Sequence, residues 1–82
     1  MEYHLTAHAR DALAKRRIAI EWLERTLVAP EQVEQDAVDG TLEHRLARIE
    51  EFGGLVLRVI VNANATPLRV VTAYFDRRRS SR

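Results

Sequence analysis

Gly53-Gly54-Leu55-Val56-Leu57-Arg58-Val59-Ile60-Val61-Asn62 is a glycine pair running straight into eight residues of which six are aliphatic. Adjacent glycines supply the positive backbone angles of a tight hairpin turn. The residues that follow are the β-branched and aliphatic types that favour a pleated, buried surface. Side chains alternate across a strand, so Leu55, Leu57, Val59 and Val61 share one face and Val56, Arg58 and Ile60 the other. A strand that is apolar on both faces belongs inside a sheet, with one face under helices. Arg58 alone breaks the pattern.

Upstream of the glycines, Leu42 to Phe52 is the other arm of the hairpin. It alternates imperfectly, with Leu42, His44, Leu46 and Arg48 on one side and Glu43, Arg45, Ala47 and Ile49 on the other. Downstream, Asn64 to Pro67 is a turn, and Leu68 to Phe75 is a closing strand in which Arg69 and Thr72 interrupt the apolar residues. Gln32 to Val38 is polar with spaced apolar positions, a loop or a weak edge strand, and Asp39-Gly40 is a turn signal.

The first thirty residues read differently. Tyr3-His4-Leu5 is a short edge-strand candidate, and the hydroxyl of Thr6 is suited to cap a helix. Leu5, Ala9, Ala12, Leu13 and Arg16 fall on one helical face, with His8, Asp11 and Lys15 opposite. This predicts a helix over Thr6–Arg17. After Ile18-Ala19, the residues Ile20, Trp22, Leu23 and Leu27 give a second helix, which Pro30 stops. Helices this short are not stable alone in water, so they must pack on the sheet. The expected fold is α+β: two N-terminal helices on a mainly antiparallel sheet of about four strands. Residues 1–77 form the domain, and 78–82 form a basic, flexible tail.

The chain has 82 residues, enough for one domain, and no cysteine. That excludes disulfides, zinc–thiolate sites and a cysteine nucleophile. Arg58 breaks the longest apolar run, which is far below the ~20 residues of a membrane span. Met1-Glu2-Tyr3-His4 lacks the basic start of a signal peptide. A cytoplasmic protein with no membrane contact is expected. The net charge of +1 is unevenly spread: residues 31–51 carry seven acidic and two basic side chains, and residues 52–82 carry six basic and one acidic. A basic C-terminal third suits contact with a polyanion.

Two blocks of letters carry a resemblance. The first is Leu5-Thr6-x-His8-Ala9, Arg16-Arg17-Ile18, Trp22, Thr26-Leu27 and Pro30. The second is Glu43-His44-Arg45, Arg48-Ile49, Phe52-Gly53-Gly54, Leu57-Arg58-Val59 and Val70 through Arg77. Together they resemble, over Tyr3 to Arg77, a small uncharacterised-domain family grouped with the RelE/ParE/BrnT toxins. The Glu43-x-Arg45 pair and the glycine-turn strand are most similar to BrnT. The resemblance implies a toxin-like α+β domain of a type II toxin–antitoxin pair, with a small antitoxin as partner. In ribonuclease members of that superfamily a 2′-hydroxyl attacks the adjacent phosphate without a metal, on mRNA or at the ribosome. Other members act on DNA gyrase. No cofactor is implied, and self-association is left open.

Such cleavage needs a proton acceptor, a proton donor and cations around the phosphorane. Histidine is the side chain whose unperturbed pKa lies nearest neutrality. His8, His44, Arg58 and Tyr74 are therefore the catalytic candidates, with Arg45, Arg48, Arg69 and Arg77 placed to bind RNA phosphate. If Arg58 and Arg69 share the open side of the sheet, Arg45 can converge with them there. The plain alternative for Arg58 is a strand arginine facing solvent or paired with Glu43, Glu50 or Glu51, and for Arg45 a cross-strand ion pair. His4 and His8, four apart, lack a third metal ligand beyond Asp11, so no metal site is expected. The competing whole-protein reading is a non-enzymatic interaction module, with the acidic 31–51 segment as its docking surface.

Overall fold

The computed structural model describes residues 1–81. The elements run β1 (Tyr3–Leu5), α1 (Ala7–Arg16), α2 (Ile20–Val28), β2 (Gln32–Gln35), β3 (Leu42–Ile49), β4 (Leu55–Asn62), β5 (Leu68–Asp76) and α3 (Arg77–Ser80). The five strands form one sheet in the order β1-β5-β4-β3-β2. All neighbours are antiparallel except β1, which runs parallel to β5. The fold is α+β, with three helices and a five-stranded mixed sheet, which corrects the expected four strands and two helices. Both edge segments left weak by sequence, 3–5 and 32–35, take up backbone pairing with a neighbour whose partner groups would otherwise stay open. No helix among the described residues is long and apolar enough to cross a membrane.

The helix ends follow local chemistry. Thr6 caps α1 by accepting from the Ala9 amide at 3.0 Å, and its hydroxyl also donates to the Val71 carbonyl at 3.0 Å. At the other end Arg17 turns left-handed (φ 55°). The amides of Arg17 and Ile18 fold back onto Ala14 and Leu13, the paired closure of a Schellman motif. That closure drives Ile18 into the core, where it is 6% exposed. Gly53 and Gly54 carry φ angles of 66° and 70°, the left-handed backbone expected of the turn.

The core lies between the helices and one face of the sheet. Ala9, Ile18, Leu23 and Leu27 pack on Ile49, Leu57, Val59, Val61, Val70 and Ala73. Between Ile60 and Val61 the β4–β5 register shifts: Ile60 pairs with Thr72 but Val61 with Val70. Val71 is thus an extra residue in β5, a bulge that reverses side-chain parity along the strand. Through it, Arg69, Thr72, Tyr74 and Asp76 all share the face away from α1 and α2. The same face carries His44, Leu46 and Arg48 of β3, Arg58 of β4, and Gln32 and Glu34 of β2, by their register partners.

Arg78 to Ser80, expected in a free tail, instead belong to the turn α3. Asp76 caps it by accepting from the Arg78 and Arg79 amides. The Ser80 hydroxyl takes the Val56 amide at 2.8 Å, and Arg79 reaches Gln32 and Glu34 of β2. A polar tail gains order here because three strands offer it partners. Arg82, the last residue of that expected tail, lies outside the described residues.

Candidate functional site

The open face is organised around Arg58, which β4 holds at the centre of the sheet and which is 9% exposed as a residue. A charge buried this far needs partners, and it has three. Nε and Nη2 both donate to Asp76 Oδ2, at 3.0 and 2.6 Å. Nη1 donates to Glu34 Oε1 at 3.3 Å and to His44 Nδ1 at 2.7 Å. Burial by itself lowers the pKa of Arg58, but the bonds to Asp76 and Glu34 and the nearby Tyr74 outweigh it, and the net direction is upward.

Since a guanidinium only donates, the partners assign the His44 tautomer. Nδ1 is the acceptor, so Nε2 bears the hydrogen and donates to Asp36 Oδ1 at 2.7 Å. Asp36 also accepts from the Asp39 and Val38 amides in the β2–β3 loop. The Asp39 amide, then the His44 ring, then the Val38 amide hold its carboxyl down at about 2. Asp76 is lowered chiefly by Arg58, and Glu34 first by Arg79 and then by Arg58. The result is a continuous chain, Asp36–His44–Arg58–Asp76, with Glu34 bridging Arg58 to Arg79.

Tyr74 stands directly opposite Arg58 across β4 and β5. Its hydroxyl makes no hydrogen bond among the described residues. Beside the network is a groove of about 660 Å³, lined in part by Gln32, Glu34, Leu46, Arg48, Val56 and Arg79. No group of three or more His, Asp or Glu side chains among the described residues is placed to hold a metal ion. The cation among these carboxylates is Arg58 itself. His4 in β1 and His8 in α1 sit on different elements and share no helical face.

The structure thus brings together His44, Arg58 and Tyr74 of the residues singled out by sequence, and disperses the others. His8 is exposed on α1, in the helical layer on the far side of the sheet. Arg45 does not converge with Arg58. It pairs with Val59 on the helix-facing side, donates to Glu43 at 2.7 Å and to the Leu27 carbonyl at the end of α2 at 2.9 Å. Parity decides this: on β3, His44 points where Arg58 points, and Arg45 opposes it. Arg48 is on the open face, but its guanidinium clamps the carbonyls of Gly54, Arg79 and Ser80. Arg69 shares the face yet lies level with Asn62, about 13 Å along the strand from Arg58 at ~3.3 Å per residue. Arg77 is exposed at the start of α3.

Sequence reading missed Asp36, Glu34, Asp76 and Arg79, and Arg58 neither faces solvent nor pairs with Glu43, Glu50 or Glu51. One signal was present. Asp76 is the lone acid of residues 52–82, and a lone acid among six basic side chains is a natural partner for the one arginine inside an apolar strand.

Acid should loosen this site first. The folded pKa of Asp36, about 2, lies below its ordinary value of 3.8. Its contribution is therefore present above pH ~4 and lost as pH falls towards 2. Glu51 behaves alike, held at about 2 by the bidentate Arg25 guanidinium. Denaturant midpoints measured between pH 5 and 2 should fall steeply. Asp36→Asn should flatten part of that slope, and an unchanged slope would contradict the assignment.

Comparison with known proteins adds a family and no activity. Neither the curated proteins nor the solved structures contain a match to this chain. One family model matches residues 5–75, from the last residue of β1 to the end of the aromatic pair on β5. That span holds α1 and α2, the β3–β4 hairpin and every member of the network except Asp76 and Arg79. The chain belongs to the family described as domain of unknown function DUF4258.

Proposed function

We propose that this domain is the toxin-like member of a type II toxin–antitoxin pair, and that its open sheet face cleaves RNA by transesterification. The observation that carries the reading is the contact between His44 Nδ1 and the Arg58 guanidinium, with Tyr74 across from them. Its resemblance to the RelE/ParE/BrnT toxins supports it as well. A phosphate drawn to Arg58 takes over donors now given to Asp76 and Glu34. As the guanidinium turns to the phosphate, His44 Nδ1 is released and accepts the proton of the 2′-hydroxyl. The 2′-oxygen then bonds to phosphorus, and the 5′-oxygen leaves with a proton from the Tyr74 hydroxyl or water. Asp36, ionised throughout, holds Nε2–H and stabilises the imidazolium, while Arg58 neutralises the phosphorane.

Purified protein incubated with mRNA, alone and with translating ribosomes, tests this. His44→Ala should slow cleavage by about 10²-fold or more, the range for loss of a positioned base. Intact transcripts and unimpaired growth on induction of the wild-type chain would end the reading.

A second reading is favoured by one observation: Arg58 and Arg79 are already paired with carboxylates. A protein-interaction module needs no more than this rigid, charge-matched face. In that case the partner encoded beside it co-purifies equally with the wild-type and His44→Ala proteins, and RNA stays whole.

A further inference from the structure

We infer that the cavity lined by Arg16, Phe52, Tyr74, Phe75 and Arg77 is a subsite for one nucleotide of single-stranded RNA, its base stacked on Phe52 and its phosphate held between the two arginines. The inference deepens the proposed ribonuclease reading and rests on it for the identity of the ligand.

The free cations are the first reason. On the open face Arg58 and Arg79 are engaged by carboxylates and Arg48 by backbone carbonyls. Arg16 and Arg77 have no hydrogen-bond or ion-pair partner among the described residues, and no carboxylate lines the cavity between them. An anion binds here without displacing an internal partner, whereas at Arg58 it must compete with Asp76.

The second reason is the aromatic wall. Phe52, in the 3-10 turn Glu50–Phe52 at the tip of the β3–β4 hairpin, is 38% exposed. Its ring centroid lies 5.0 Å from Phe75 and 5.1 Å from Trp22. The ring is thus held by two aromatic neighbours while part of it meets solvent. A rigid, partly exposed aromatic beside unpaired guanidinium groups is the arrangement that single-stranded nucleic acids use, stacking bases while cations track the backbone. The volume, about 280 Å³, is at the small end for a ligand pocket, which suits one nucleotide rather than a peptide segment. Tyr74 supplies continuity: it lines this cavity and stands opposite Arg58. A strand whose scissile phosphate sits at Arg58 can place a neighbouring nucleotide here.

Trp22 is the only tryptophan and touches the stacking ring, so its fluorescence reports occupancy. Oligouridylate and oligoadenylate titrated into the His44→Ala protein, which should leave the RNA whole, should quench it. Affinity should fall with salt at a slope of about −0.7 per phosphate contacted. Arg16→Gln with Arg77→Gln should weaken binding about tenfold and lower that slope by one to two contacts. Phe52→Leu should weaken it roughly 5- to 100-fold, the range for losing one stacked base. Equal binding of inorganic polyphosphate or polyglutamate, or unchanged affinity in these variants, would overturn the subsite. Cleavage by the wild type that the Arg16→Gln, Arg77→Gln double variant matches sinks the subsite alone. Specific RNA binding with no cleavage by the wild type sinks the ribonuclease reading and leaves the subsite standing.

Discussion

Replacing Arg58 with alanine is expected to lower the unfolding free energy by about 3–5 kcal/mol, the usual range when one partner of a buried ion pair is removed. The side chain of Arg58 is 10% exposed, and that of its main partner Asp76 is 14% exposed. Truncation leaves the Asp76 carboxylate largely out of water with no cation, strips His44 Nδ1 of its donor, and empties space above Leu46 and Tyr74, the residues paired with Arg58 on either side. A domain of this length holds on the order of 4–12 kcal/mol in total, so the loss is about a quarter or more of its stability. Urea denaturation measures it directly. Arg58→Lys should fall between wild type and alanine, because an ammonium keeps the charge but cannot reach Asp76, Glu34 and His44 together. Asp76→Asn should be milder still, since asparagine can go on capping α3. A loss below about 1 kcal/mol for Arg58→Ala would class the network with surface ion pairs and remove the rigidity on which its proposed chemistry depends.

Leu23→Ala is expected to be as damaging, by a different route. Leu23 is 0% exposed and joins α2 to the sheet within the core cluster. Truncating a buried leucine forfeits its transfer free energy and leaves a cavity, together about 2–5 kcal/mol. The helices cannot relax inward far, because α1 is tied to β5 through Thr6 and closed by the turn at Arg17 and Ile18. For a domain of this size each kcal/mol shifts the melting temperature by roughly 4–8 °C, so a drop of ~10 °C or more should be seen by circular dichroism. Ile20→Ala on the same helix, where Ile20 is 49% exposed, should shift it little. Equal effects from the two would mean that α2 does not dock as described.

These variants also separate the two halves of the proposed function. Arg58→Ala is expected to reduce both stability and cleavage, so its cleavage must be measured where the protein is still folded. His44→Ala removes the proton acceptor from a ring that is only one link of the chain, and its effect on activity should far exceed its effect on stability. A protein-interaction module would show the reverse order, with binding following stability and indifferent to His44.

Much of the framework was legible from local pattern. The glycine pair, the alternation of Leu55 to Asn62 and the threonine cap each act over a few residues, and α1, α2, β4 and β5 lie within about two residues of their expected ends. The weak edge strands were less legible because their residues have little strand preference of their own, and they are ordered by the neighbours they pair with. The candidate site was legible only in part. His44, Arg58 and Tyr74 could be picked out as chemistry-bearing side chains, but which side of the sheet Arg45 takes was left to the register, and the acids that hold Arg58 were not foreseen.

The amino-acid sequence alone determined the α+β class, α1 and α2 with the Thr6 cap, the glycine-led hairpin and the singular position of Arg58 within an apolar strand. Those features depend on backbone preferences and side-chain periodicity that neighbouring residues carry among themselves. Only the tertiary structure decided which side chains meet. Asp76 lies 18 residues from Arg58 along the chain, His44 lies 14 away and Glu34 lies 24 away. They converge because four strands, β2 to β5, pair in one register and one bulge at Val71 resets the parity of β5. A slip of a single residue in any strand would turn its side chains to the opposite face, and that choice is made by the packed core.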